Sequence, residues 1–430
     1  MKVLLVNPKI NGEILEGFPL SLGYLSSSLK YQRNGIDEIR AIDYNTPESS
    51  MIEKEIEYWK PDLIGVSMMI PSFNEGKKEI LRLKKYSPHA FVLVGGIAAA
   101  TIKEHILDIP HVDAVYRGEG ESEFANLVSS IENDNWKGSN NISYKEDGKI
   151  VDRPLAPFIS NLDEIPFPDR ELVEIKHYLQ DIHGSDRKAA SIISSRGCPY
   201  NCVFCYRGPA AGKKFRKRSS NNFVEEIHHL MDKYGVNAFM IWDDNFLLDR
   251  NRVIEICNYI KNDKLEWKCQ ARVDSLDREL LENMKEAGCV SLNIGIESGN
   301  EEILKKMKKG ITKKQSEEAI KLCKEIGIFT NAYFILGMPW DTYETINETI
   351  DFAIEISPDK AHFFEATPFP GTELREIAIK KGLPVNEDWD NYLLKKTNSP
   401  VIETKNFSKE QLHEWVREAN IKFKEAKNVS

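Results

Sequence analysis

Cysteine is scarce in this chain, seven residues in 430, and none stands before position 198. That argues against a disulfide framework, which would spread paired cysteines along the sequence. Long apolar runs are missing too: nothing approaches the ~18 residues of a membrane span, and "MKVLLVNPKING" turns polar too soon for a signal peptide. The expectation is a cytosolic protein, where thiols stay reduced. Nor is there an excess of positive charge, since 58 Lys and Arg against 67 Asp and Glu leave a formal net charge of −9. Nucleic acid is therefore not an expected partner. Histidine is equally sparse at the start, the first being His89.

What the chain does have is a repeated alternation of short apolar runs and amphipathic stretches. "KVLLV", "IRAID", "DLIGVS", "FVLVGG" and "VDAVYRG" occupy the first 118 residues and predict a doubly wound, Rossmann-like parallel sheet. "NISYKEDGKIV" (141–151) predicts a hairpin turning at Asp147-Gly148, and the proline-punctuated stretch 157–171 a linker. A second series starts at "ASIISS" (190–195) and ends at "KAHFFEA" (360–366). Its six strand–helix units predict a partial (β/α)6 barrel with reactive groups at the C-terminal ends of the strands. Thr312 with Gln315 has capping-box spacing, and Gly235 stands where a helix should stop. The expected domains are 1–140, a hairpin and linker over 141–185, the barrel over 186–375, and a charged helical extension over 376–430.

Against this background three cysteines fall within eight positions, Cys198, Cys202 and Cys205, just past the barrel's first strand. A structural zinc would want a fourth ligand. Cys257, Cys269, Cys289 and Cys323 are scattered singly and offer none nearby. Three thiolates on a four-iron cluster leave one iron open for a ligand.

The segment "RGCPYNCVFC", with Phe204 as its aromatic residue, resembles the cysteine loop of the radical S-adenosylmethionine (SAM) superfamily. The resemblance implies a 4Fe-4S cluster on the three cysteines and SAM chelated by the open iron. It further implies SAM contacts after each strand: Asp243, Asp244 and Asn245 in "WDDNF", Arg272 in "ARVD", Glu297 and Ser298 in "GIESG", and "ILGMP" (335–339) along the adenine. The basic run "GKKFRKRSS" (212–220) reads as a solvated turn into a helix capped near Ser219, with Arg216 or Arg218 in reach of the SAM carboxylate.

The first block resembles the N-terminal domain of the cobalamin-dependent radical SAM class. Its "VLVGG" and "DLIGVS" put Gly95, Gly96 and Ser67 at the strand ends where the cobalamin tail would lie. A methylthiotransferase would need a second cysteine triad ahead of the barrel, which the chain lacks. The loop after the first strand, "NPKINGEILEGFP", has no histidine to ligate cobalt, so the resemblance implies base-off cobalamin without a histidine ligand. The implied activity is methyl transfer from SAM through cobalamin to an unactivated carbon or a phosphinate phosphorus of a small molecule or peptide. A flavodoxin or ferredoxin would supply electrons. A cobalamin-dependent cyclase, hydroxylase or ring-rearranging enzyme is the alternative with the same cofactors, and an iron–sulfur sensor without turnover the alternative of another class.

Overall fold

The computed structural model describes residues 1–10, 17–206, 212–392 and 401–429, and the chain divides into two compact units. The first is built on Met1–Leu179. Its strands are β1 (Lys2–Asn7), β2 (Glu38–Asp43), β3 (Leu63–Ser67), β4 (Phe91–Gly95), β5 (Ala114–Tyr116), β6 (Ile142–Glu146) and β7 (Lys149–Asp152), in the sheet order β2-β1-β3-β4-β5-β6-β7. The first five run parallel, and the predicted hairpin adds the last two antiparallel. Asp147 (φ 48°) and Gly148 (φ 73°) make the left-handed turn that a two-residue hairpin needs.

Helices α1 (Leu20–Gln32), α2 (Ser49–Trp59), α3 (Phe73–Tyr86), α4 (Ile97–Thr101), α5 (Lys103–Leu107) and α6 (Phe124–Glu132) alternate with these strands. Central residues Val3 to Val6 of β1 are wholly buried, as strands covered on both faces require. The linker expected over 157–171 packs onto this unit: Leu162 and Ile165 close over Tyr24, and Asp169 accepts from Ser26 Oγ and Lys30 Nζ. On α3, Glu79 is buried beneath the start of the β1 loop, where Oε1 accepts the Lys9 N–H at 3.3 Å and Oε2 has no partner. Burial pushes its carboxyl up to about 8. Part of the histidine-free loop, residues 11–16, lies outside the described residues.

The second unit runs from Gln180. Six parallel strands, β9 (Lys188–Ile192), β12 (Ala238–Ile241), β13 (Glu266–Ala271), β14 (Cys289–Glu297), β15 (Phe329–Leu336) and β16 (Lys360–Glu365), form the partial barrel, and β8 (Gln180–Asp181) adds an antiparallel edge. The strands β10 (Ser195–Arg196) and β11 (Arg216–Lys217) make a separate short ribbon. Helices α7 (Ser220–Tyr234), α8 (Arg250–Ile260), α9 (Arg278–Glu286), α10 (Glu301–Lys306), α11 (Lys313–Ile326), α12 (Tyr343–Ile356) and α13 (Glu373–Lys380) connect or follow the strands. Ser219 caps α7, Gly235 ends it at φ 65°, and Thr312 with Gln315 forms the predicted capping box on α11.

The C-terminal extension has a structural task that its charge pattern hides. Helix α14 (Lys409–Val429) lies along β16, where Asn420 accepts from the Phe363 N–H and donates to the Phe363 carbonyl. It thereby covers a sheet edge that would otherwise expose unpaired backbone groups. No helix among the described residues is long and apolar enough to cross a membrane.

Candidate active site

The three cysteines sit on a loop closed at its base by the β10–β11 ribbon, which pairs Ser195 with Lys217 and Arg196 with Arg216. Gly197, at φ 81°, makes the left-handed turn into the loop. Backbone bonds then fix its middle: the Val203 N–H donates to the Met307 carbonyl at 3.0 Å, and the Val203 carbonyl accepts from Leu374 N–H at 2.8 Å. Val203 is buried with Ile303, Met307, Met338 and Leu374, and half-buried Phe204 packs on the same cluster. This places Cys202 inside, Cys198 half-buried and Cys205 at the surface.

The electrostatics around Cys202 favour thiolate. The Cys205 thiol hydrogen-bonds to it, and Lys309 and Arg272 add positive charge, so its value falls to about 6 while Cys205 rises. Burial raises Cys198. Arg272 Nη1 lies 4.0 Å from Cys202 Sγ, and its guanidinium sits 3.6 Å over the Tyr200 ring. Two 3.0 Å bonds to Asp274 and one of 2.7 Å to the Lys309 carbonyl complete its partners. The remaining cysteines, Cys257, Cys269, Cys289 and Cys323, are all buried in the core. The donor set is therefore three thiols beside two cations with no fourth thiol at hand, which suits a cluster with an open iron better than a closed zinc site.

The expected SAM residues divide into two groups. Glu297 ends β14 at φ 70°, a left-handed conformation uncommon for a residue with a side chain, and pairs with buried Lys309 at 2.6 Å. A Cβ on Gly295 would lie 2.4 Å from Glu297 Oε1 and 2.8 Å from Lys309 Nζ, so glycine is what leaves room for the pair. Asp244 is exposed and accepts from the Gly197 N–H, while desolvation and the Asp243 charge raise its carboxyl. Asn245 is buried, and neither end of its amide has a partner.

The second group is occupied with holding the scaffold. Asp243 takes the Ser194 N–H at 2.6 Å and the Ser194 and Ser195 hydroxyls at 2.5 Å. Ser298 bonds Thr349 of α12 and the Asn300 N–H. Arg218 pairs with Glu226 and donates to the Ile193 carbonyl, and Arg216 is buried too, so the basic run is partly interior. Asp341, unnoticed in the sequence, accepts from the Gly337 and Met338 N–H groups and from Thr345 Oγ1, fixing the "ILGMP" turn.

In the first unit Ser67 and Gly95 are paired neighbours at the ends of β3 and β4. A Cβ on Gly95 would meet nothing within 4 Å, whereas one on Gly96, at φ 87°, would stand 2.6 Å from the Met68 carbonyl oxygen. Gly95 therefore leaves open space for a ligand, and Gly96 is required by its own backbone. Small residues at these strand ends suit a bulky cofactor brought close to the main chain.

Two family models match in the same order as the two units: the B12 binding domain over residues 15–128 and the radical SAM superfamily over residues 192–353. An uncharacterized methyltransferase of Pyrococcus horikoshii is 35% identical over 98% of this chain and 92% of its own length. The chain belongs to the cobalamin-dependent radical SAM enzymes. The family's cofactors are a 4Fe-4S cluster, SAM and cobalamin. The anaerobic magnesium-protoporphyrin IX monomethyl ester cyclase of Rubrivivax gelatinosus is 30% identical over 87% of this chain and 69% of its own. Among solved structures, the radical SAM methyltransferase TsrM from Kitasatospora setae, with cobalamin and a [4Fe-4S] cluster bound, matches with a TM-score of 0.76 at 19% identity, over 99% of this chain and 88% of that one. That likeness bears on the fold.

Proposed function

We propose that this chain is a methyltransferase that moves a methyl group from SAM, by way of cobalamin, to an unactivated carbon or a phosphinate phosphorus of a small molecule or peptide. The observation that carries the reading is the three-thiol loop beside Lys309 and Arg272. When bound, the reduced cluster supplies the electron that splits SAM, and cobalamin supplies a carrier for the methyl group.

The chain's own residues hold and orient these groups. Cys198, Cys202 and Cys205 ligate the cluster. Lys309 offers a cation to the SAM carboxylate, Glu297 a carboxylate to its ribose or amino group, and Asp244 a second acceptor. Asp341 holds the 337–338 turn along the adenine. Arg272, Phe204, Asp243 and Ser298 act as positioning residues behind them. In the first unit Ser67 and Gly95 receive the cobalamin tail. A flavodoxin or ferredoxin delivers the electron.

The name of the Pyrococcus relative supports the methyl-transfer outcome, and the Rubrivivax cyclase keeps ring formation as a second reading. Anaerobic incubation with SAM, reductant and cobalamin should yield 5'-deoxyadenosine, and mass spectrometry of candidate substrates separates the outcomes. A product heavier by one methylene supports transfer; a product lighter by two hydrogens supports ring closure. No 5'-deoxyadenosine from protein carrying its full iron would overturn the enzyme reading.

A further inference from the structure

Alternate residues of parallel strands face opposite sides of a sheet. In the second unit the register sets Ile192, Ile241, Cys269, Leu292 and Thr330 side by side. This row faces the helices, for the Cys269 thiol feels Cys257 on α8 and Cys323 on α11. The interior of such a barrel is ordinarily filled by branched apolar side chains. Here the opposite face carries Ser191, Met240, Lys268, Ser291 and Phe329 in one row, and Trp242, Gln270, Asn293, Asn331 and Lys360 two residues further on. Those rows hold two cations and no carboxylate.

The hydrogen bonds within this face leave defined acceptors over. Ser191 Oγ receives both Gln180 Nε2 and Trp242 Nε1, each at 3.1 Å. Asn331 Nδ2 donates to Ser291 Oγ at 3.0 Å. Gln180 Oε1 and Asn331 Oδ1 have no partner, although their residues are only 5% and 1% exposed. Buried amide oxygens are normally satisfied, and an orphan that persists is characteristic of a site completed by something else. The face also has access and a flat wall. Trp242 is 40% exposed. Towards the strand ends, Tyr333 stacks on His362 at 5.2 Å and on Phe364 at 6.0 Å.

Resting on the methyltransferase or cyclase reading above, we infer that this face is the substrate pocket and that it selects a compact, planar, uncharged or anionic molecule bearing N–H or O–H donors. Asn331 Oδ1 and Gln180 Oε1 receive those donors, and the aromatic stack lies against the ring. An extended apolar polycycle would leave both acceptors unpaired, a discrimination that polar sites make strongly.

The test uses the full chain with its cluster reconstituted. Cytidine, uracil and indole-3-acetamide serve as donor-bearing probes, and a hopene and pyrene as apolar ones, with binding read by equilibrium dialysis. At least one donor-bearing probe should bind, and Asn331→Leu should weaken it by about tenfold or more. Gln180→Leu, on a different strand, provides an independent second variant. Both substitutions also remove a buried amide donor, that of Asn331 to Ser291 and that of Gln180 to Ser191, so the thermal midpoint of the ligand-free protein should fall. Added donor-bearing probe should raise the midpoint of the wild type and not of the variants. Binding of the apolar probes alone, binding of no probe, or an equal rise in midpoint with probe for wild type and both variants would overturn the assignment. Formation of 5'-deoxyadenosine by the wild type without substrate reports separately on the cluster reading, so the two can fail independently.

Discussion

The two adjacent glycines at the end of β4 allow the proposed cobalamin crevice to be tested without confusing binding with folding. Gly96 sits at φ 87°, and an added Cβ would be 2.6 Å from the Met68 carbonyl oxygen and 3.0 Å from the Met68 nitrogen. Met68 cannot give way easily, because its N–H donates to the Gly95 carbonyl and its carbonyl accepts from the Ala98 N–H. Gly96→Ala therefore combines left-handed strain of ~1–2 kcal/mol with an overlap of ~1–3 kcal/mol. That should lower the thermal midpoint by roughly 5–15 °C in a unit of this size. A Cβ added at Gly95 meets nothing within 4 Å, so Gly95→Trp, with its ring directed into that open space, should lower the midpoint far less than Gly96→Ala. Yet it should abolish cobalamin retention after desalting, read from the corrinoid absorbance, while the iron content stays full. If Gly95→Trp retains as much corrinoid as the wild type, the crevice is elsewhere. If Gly96→Ala is as stable as the wild type, the steric account of this turn is wrong.

Other changes probe the second unit and the buried carboxylate of the first. Lys309→Met leaves Glu297 buried without its counter-ion and should cost ~3–5 kcal/mol; the double variant with Glu297→Gln should recover much of that, and additive losses in a double-mutant cycle followed by thermal unfolding would mean the pair is not coupled. Cys202→Ala should prevent assembly of the cluster's about four irons, measured by iron analysis after anaerobic reconstitution. Glu79 has a folded value of about 8 against an ordinary 4.5. Its contribution to stability is thus fully present below about 4.5 and lost as pH rises through about 8. Glu79→Gln should flatten the decline of the first unit's midpoint over that window, and a slope unchanged from wild type would show that Glu79 is already ionised.

The elements were legible where each rests on local chemistry. Asp147-Gly148, Thr312 with Gln315 and Ser219 are turn and cap residues whose role depends on neighbours a few positions away. The cysteine loop was legible because its spacing is the pattern we propose for the cluster ligands. Lys309 was hidden: it stands in "KKMKKG", where Lys305, Lys306 and Lys308 are exposed and only Lys309 is buried. Positive φ at Lys308 and Gly310 turns the chain so that this one lysine points inward. Gly295, two residues before Glu297, was the available signal, since a strand glycine often marks a close approach. Asp243 and Ser298 looked like ligand contacts because they end strands at the reactive face. Their hydroxyl and amide partners come from other elements, Ser194 and Ser195 beyond β9 and Thr349 on α12, and no local pattern announces those bonds.

How the cysteine loop is held decides what loss of the metal can do. Its base is paired by the β10–β11 ribbon, its middle is bonded to Met307 and Leu374, and Val203 is anchored among buried apolar side chains. None of these contacts runs through a thiol. Metal sites that supply their own folding energy unfold when stripped, but here the backbone is placed by the polypeptide. Arg272 and Lys309 then bring positive charge to Cys202, and this lowers the cost of deprotonating the ligand in advance of the cluster. A loop preformed in this way costs little conformational entropy when it takes up the cluster. On the proposed ligation, its binding energy can then go into retaining the metal against chelation and exchange, and the barrel should stand without the cluster.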